Sequence, residues 1–162
     1  MKSWAKPLIL WFFLGEQYFV IEAVYRQFWK GGEQAHLAML AVGGTACVLV
    51  GAINQKPRFY RMPMLAQAVI GALLVLVVEL AAGLILNVWL GLEIWDYSHL
   101  PFNLWGQVCP QFAATWLFFM PICICMEDFL WLSLECNGND YRLGDASWTL
   151  ITNNDCLRAP GK

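Results

Sequence analysis

The run from Met64 to Leu90, MLAQAVIGALLVLVVELAAGLILNVWL, carries a single formal charge, Glu79. A helix needs about 20 residues to cross the hydrocarbon of a bilayer, and this run is long enough. Only helices and closed barrels satisfy their own backbone there. Pro63 suits the first helical turn. Gly91 suits a left-handed cap after the last, with Leu92 placed to make the accompanying contact. Three more apolar runs cover residues 7–28, 36–53 and 104–131, the last with an alternative start at Pro110 that leaves Leu104 to Cys109 as a short interfacial helix. Little is left over for a water-soluble core. Of the 162 residues, 59% are hydrophobic and 14% charged, whereas a soluble domain carries about a quarter charged. Nine Trp agree with this, since Trp gathers at membrane–water interfaces. The expected fold is all-α, a polytopic membrane protein: a four-transmembrane-helix bundle over residues 1–135, followed by a short polar C-terminal tail.

The basic residues set an orientation. Lys2, Lys6, Lys56, Arg58 and Arg61 flank the spans on one side, against Arg26 and Lys30 on the other, and residues 91–103 contain no Lys or Arg. The positive-inside rule then places both termini in the cytoplasm, with four crossings. WDYSHLPFNLWGQ, residues 95–107, faces outward. Trp95, Tyr97 and Trp105 can seat it at the headgroup level, and Pro101 and Asn103 can start the next helix. Trp4 and Trp131 mark the inner interface, and Trp29 and Trp89 join Trp95 and Trp105 at the outer one. The first run is interrupted by Glu16, Gln17, Glu22 and Arg26, and with Lys2 and Lys6 ahead of PLILWFFLG it also has features of a signal peptide. No small-residue cleavage site follows promptly. Residues 136–162 show neither helical nor strand periodicity and are expected to form a flexible cytoplasmic tail.

Ionisable groups inside a membrane are expensive and mark sites. Glu79 is the sharpest, and Gly83 and Asn87 follow it at helical spacing on one face. A protonated Glu79 bonding a neighbouring helix as structural glue and a carboxylate contacting an ion, proton or substrate are both open. Glu22 and Arg26 stand four apart in the favourable order for an ion pair. With Asp96, Asn103 and Gln107 they outline a polar, outward-facing intramembrane site roofed by residues 95–107. The alternative is a network that satisfies only itself. Gly43, Cys47 and Gly51 recur every four residues, as in close helix packing. Pro121 sits within the fourth run, where it removes a backbone donor. Glu127 and Asp128 are expected to be solvated near the inner interface.

Catalytic motifs are absent. The sequence has no phosphate-binding GxxxxGK[ST], no HExxH and no GxSxG, so no enzyme activity, cofactor or metal is expected. The six Cys form neither a CxxC pair nor a Cys/His metal pattern. A net charge of −2 without a basic stripe gives no reason to expect nucleic acid.

WDYSHLPFNLWGQVC, with YFVIEAVYR in the first run and VELAAGLILN in the third, resembles the small bacterial membrane proteins of the type IV, CmpB-like ABC-transporter permease family. The resemblance runs from Gly15 to Leu130, and the WDYS…PFN…GQ block is its most specific part. It implies a multi-pass protein of the bacterial inner membrane with its first span retained, and any ATP use through a separate ATPase chain. It supplies neither substrate nor catalytic residues. After Leu130 the sequence departs from a basic, aromatic ending. The leading expectation is a permease-like transporter subunit embedded in the lipid bilayer. Four spans are few for a pathway, so a homo-oligomer or a partner membrane subunit is expected. The alternative is an accessory, sensory or holin-like component that transports nothing.

Overall fold

The computed structural model describes residues 5–135. The expected tail, residues 136–162, lies outside them, as do Trp4, Cys136 and Cys156. Five helices follow in order: α1 (Ala5–Trp29), α2 (Ala38–Asn54), the single turn α3 (Pro57–Tyr60), α4 (Met64–Gly83) and α5 (Pro110–Glu135). The described residues form no strand, only an isolated bridge between Leu104 and Val108.

Helix ends follow local chemistry. α1 closes where Gly31 and Gly32 take φ of 70° and 88° and the Gly32 N–H reaches the Arg26 carbonyl at 3.2 Å. This is the six-to-one bond of a left-handed glycine cap. α4 starts after Pro63, whose carbonyl accepts from the Ala66 and Gln67 N–H groups. It passes directly into a π-helical turn, Leu84–Trp89. That turn ends at Gly91, φ 65°, with the Leu92 N–H on the Leu86 carbonyl at 2.9 Å, the same device as at the end of α1. α5 begins at Pro110, where a missing N–H costs nothing, and contains Pro121. The fourth apolar run is therefore helical only from Pro110. Residues 104–109 form a turn, neither part of a span nor a short helix, because Leu104 pairs with Val108 through a 2.8 Å bond.

Three segments are long and apolar enough to cross a membrane: Ala5–Phe28, Met64–Trp89 and Pro110–Trp131. Ala38–Asn54 is a shorter apolar helix of 17 residues, about 26 Å at 1.5 Å per residue.

The helices associate in two pairs. α1 lies on α2 so closely that a Cβ on Gly15 would come within 2.5 Å of the Leu40 carbonyl oxygen, and one on Gly44 within 2.5 Å of that of Trp11. Tyr18 covers Gly43. α4 lies on α5, with Gly71 beneath the Met120 side chain. The pairs meet through a core of Ala46 and Val50 from α2, Ala68 and Val75 from α4, and Met120 and Ile124 from α5. Without a hydrophobic drive between helices in lipid, such small-residue contacts hold a bundle by close packing. Facing away from this core are Phe12, Ile21, Leu73, Val77, Phe118 and Ile122, all exposed. A water-soluble monomer rarely displays so continuous an apolar surface, whereas lipid chains cover it without cost.

Candidate functional site

Polar side chains gather in three layers along the bundle. The first is at the end where α1 finishes and residues 90–109 connect α4 to α5. Arg26, in the last turn of α1, places Nε 2.7 Å from Glu22 Oε1 and Nη1 3.4 Å from Glu33 Oε2. Its Nη2 donates to the Ile94 carbonyl at 2.7 Å, tying α1 to the connection. Asn87, on the π-helical turn, donates from Nδ2 to the Trp95 carbonyl at 3.0 Å and to Gln107 Oε1 at 2.8 Å, while its Oδ1 accepts the Ile94 N–H at 2.7 Å. Gln107 rests on Gly83, with no room for a Cβ there, and its Nε2 donates to the Trp105 carbonyl at 3.0 Å. Asn87 and Gln107 thus bond each other, and Arg26 with Glu22 holds the same stretch of backbone from α1.

Trp95 corrects one expectation. It is 8% exposed, packs with Met39 and Ile94, and its indole N–H donates to the Gln107 carbonyl at 3.0 Å. It is the buried pin of the connection, its ring packed inside the protein and not offered outward as an anchor, whereas Trp89 and Trp105 are exposed. Asn103 does not start a helix. Its Nδ2 donates to the Ser98 and Leu100 carbonyls at 3.2 and 2.7 Å, and its Oδ1 accepts the Gly106 N–H at 2.9 Å. Asp96 Oδ1 accepts from the Ser98 N–H at 2.8 Å and from the Ser98 hydroxyl. Those two bonds hold its exposed carboxyl below the usual range for aspartate. Asp96 and Asn103 therefore shape one turn, beside the Asn87–Gln107 pair and apart from it. Glu93, Phe102 and Trp105 hold left-handed φ angles of 49°, 59° and 51°, each a strained choice for a non-glycine residue.

The second layer is Glu79, midway along the Met64–Trp89 segment and 7% exposed. Its Oε1 accepts the Trp116 indole N–H of α5 at 2.9 Å. Trp116 in turn stacks on Tyr18 of α1, centroids 5.5 Å apart. The Tyr18 hydroxyl lies beside the carboxyl group, yet Glu79 Oε2 is buried with no hydrogen-bond partner. Helices α1, α4 and α5 all contribute here. A small cavity of about 30 Å³ between the helices is lined by Tyr18, Gly43, Cys47, Trp116, Cys123 and Glu127.

The third layer lies at the opposite end and overturns the reading of Glu127 and Asp128 as solvated. They are 4% and 7% exposed. The Nδ2 of Asn54, fully buried at the end of α2, donates to Glu127 Oε2 at 2.8 Å and to Asp128 Oδ1 at 2.9 Å. Gln55 Nε2 adds a bond to Glu127 Oε1 at 3.2 Å. Gly51 makes room, since a Cβ there would lie 2.8 Å from Glu127 Oε1. A cleft of about 160 Å³ beside this cluster is lined by Pro7, Cys47, Gly51, Gln55, Glu127 and Trp131, and Lys6 sits 5.3 Å above the Trp131 ring. Two adjacent acids inside FFMPICICMEDFLWL were the available signal, but the amide that buries them is 73 residues away. Gln67 is buried too, its Nε2 donating to the Met62 carbonyl at 2.7 Å, where it braces the turn into α4.

Among the described residues, no three His, Cys, Asp or Glu group as metal ligands. His36 Nδ1 accepts the Ala38 N–H at 3.1 Å at the entry to α2. Glu16, midway along α1, is exposed on the surface turned away from the bundle.

Residues 10–140 match the family described as "Putative ABC-transporter type IV". The chain belongs to that family. No curated protein and no solved structure matches the chain. The family match contains Arg26, Glu79 and Glu127, so all three polar layers fall within the region the family shares. The family and the three apolar spans together make this an ABC-transporter-like membrane protein.

Proposed function

We propose that this chain is the membrane-embedded, permease-like subunit of a transporter whose ATPase is a separate chain. The observation that carries the reading is Glu79, a carboxyl group enclosed by α1, α4 and α5 in the middle of a span. Such a group in hydrocarbon is retained at a cost of several kcal/mol. In this reading α2 is the fourth crossing, its roughly 26 Å close to the thickness of a thin bilayer. Both termini lie in the cytoplasm of a bacterial inner membrane, because Lys6, Lys56, Arg58 and Arg61 share the end opposite the connection. Glu79, Asn87, Glu22, Arg26, Asp96, Asn103 and Gln107 then face outward, and access to them requires release of residues 90–109.

Glu16 supports a second membrane subunit, either another copy or a partner. A carboxyl group at mid-span on the lipid-facing side of α1 calls for a protein surface to cover it. One observation favours the accessory-component reading instead: the Asn87–Gln107–Trp95 network bonds largely within itself.

Glu79→Gln separates the two, because it keeps the shape of the side chain and removes its charge. The tagged variant and parent are purified from native membranes in mild detergent, and particle size and ATP hydrolysis are compared. A permease subunit co-purifies with an ATPase, and the variant keeps the particle size but loses ATP turnover. A variant that loses assembly, with no separate activity defect, supports the accessory reading and ends this one.

A further inference from the structure

We propose that Glu79 is a proton-binding site within the bilayer, so that the ion this chain handles at its centre is a proton. The proposal deepens the permease reading by naming the ligand of its central site, and rests on that reading only for the placement of α4 in the membrane.

The geometry separates the two carboxyl oxygens. Oε1 accepts the Trp116 indole N–H at 2.9 Å, and Oε2 is buried without a partner. An ionised carboxylate whose only nearby donors are neutral, the Trp116 indole and the Tyr18 hydroxyl, and which is enclosed in apolar surroundings, loses far more hydration than those groups return. The groups around it do not supply a counter-charge. α1 presents the neutral Tyr18 hydroxyl and the acidic Glu22, the connection presents Tyr97, and Cys47 of α2 approaches Tyr18. α5 presents the Trp116 indole. Arg26 is engaged by Glu22, Glu33 and the Ile94 carbonyl, and Lys30, beyond the end of α1, is exposed and acts on Asp96 of the connection.

A larger cation fits poorly. Bound across both oxygens it would meet the positive end of the indole N–H at Oε1, and a sodium- or calcium-like ion needs several oxygen ligands. A proton needs only Oε2. On binding, water or hydronium gives its proton to Oε2, the negative carboxylate becomes a neutral acid, and Oε1 keeps its bond to Trp116. Release reverses the step and returns the proton to water.

Dicyclohexylcarbodiimide tests this directly: a protonated carboxylic acid adds across its N=C=N unit to give an O-acylisourea, and in a site that excludes water the acyl group then shifts from oxygen to nitrogen, leaving a stable N-acylurea. The full-length protein in lipid nanodiscs is treated across about pH 5 to 9, and the adduct is mapped by mass spectrometry. The expected adduct lies on the Glu79 peptide, disappears in Glu79→Gln, and declines about tenfold per pH unit beyond its midpoint. Trp116→Phe removes the donor that favours the anion, so labelling persists to higher pH. Glu22→Gln removes a neighbouring negative charge, so labelling falls off at lower pH, and this variant decides alone if Trp116→Phe does not fold. The proposal is overturned if Glu79 stays unlabelled at the acid end, if its labelling is the same at every pH, or if no folded variant moves the profile in the stated direction. A chain that labels as expected yet purifies with no ATPase keeps the proton site and removes the permease reading.

Discussion

Asn87→Ala probes how the connection between α4 and α5 is held. The substitution deletes three hydrogen bonds: to the Trp95 carbonyl at 3.0 Å, to Gln107 Oε1 at 2.8 Å, and from the Ile94 N–H at 2.7 Å. Each is worth about 1 kcal/mol net, and the gain in helix propensity returns at most about 0.7 kcal/mol. The connection should therefore open more easily by about 2 to 3 kcal/mol, a factor on the order of 100 in the opening equilibrium. Hydrogen exchange in nanodiscs reads this as about 100-fold faster exchange at the Ile94 amide, with smaller acceleration at Gln107. Asn87→Asp sharpens the test. It keeps an acceptor for the Ile94 N–H but turns a second oxygen toward two others, so Gln107 should loosen while Ile94 stays protected. Ile94 exchange within about threefold of the parent in Asn87→Ala would show that Arg26 and Trp95 alone hold the connection, and the reasoning from Asn87 would fail.

Three further outcomes are expected. Gly44→Ala places a methyl group 2.5 Å from the Trp11 carbonyl oxygen, so α1 and α2 must separate; a loss of about 1 to 3 kcal/mol should appear as a lower Tm in detergent. Asn54→Ala takes the shared donor from Glu127 and Asp128 and should cost about 3 kcal/mol or more, with Asn54→Gln recovering part of it in the same melting assay. The Asp96 carboxyl titrates below its ordinary value of about 4, so its contribution to the turn is complete above that pH and is lost as pH falls through the lower folded value. Protection of the Ser98 amide should follow that acid transition, and Asp96→Asn should make it independent of pH.

The sequence disclosed the parts of this molecule that depend on neighbours along the chain. Apolar runs of sufficient length became helices, Gly91 became a left-handed cap, and Glu22 found Arg26 one turn away. Contacts across the chain were hidden. Glu127 and Asp128 read as solvated because Asn54, which buries them, belongs to another helix. Trp95 read as a surface anchor because its acceptor, the Gln107 carbonyl, exists only once the connection folds back. The π-helical turn at Leu84–Trp89 had no sequence signal: its residues suit an ordinary helix, and the partner that Asn87 meets there, the Ile94 N–H, lies beyond the turn. Glu79 was conspicuous alone, whereas its partners Tyr18 and Trp116 looked like ordinary apolar filling.

The small-residue contacts of α1 with α2 have a mechanical consequence. Backbones that touch through Gly15 and Gly44 cannot slide past one another without collision, so those two helices move as one rocker arm. Against that arm lie α4, α5 and the connection between them, and each polar layer spans the divide: Arg26 on the Ile94 carbonyl, Tyr18 stacked on Trp116, Asn54 on Glu127. Tilting the arm by a few degrees would lengthen bonds at one end while compressing those at the other, with the Tyr18–Trp116 stack near the fulcrum. Glu79, bonded to Trp116 beside that stack, would then sit where displacement is least.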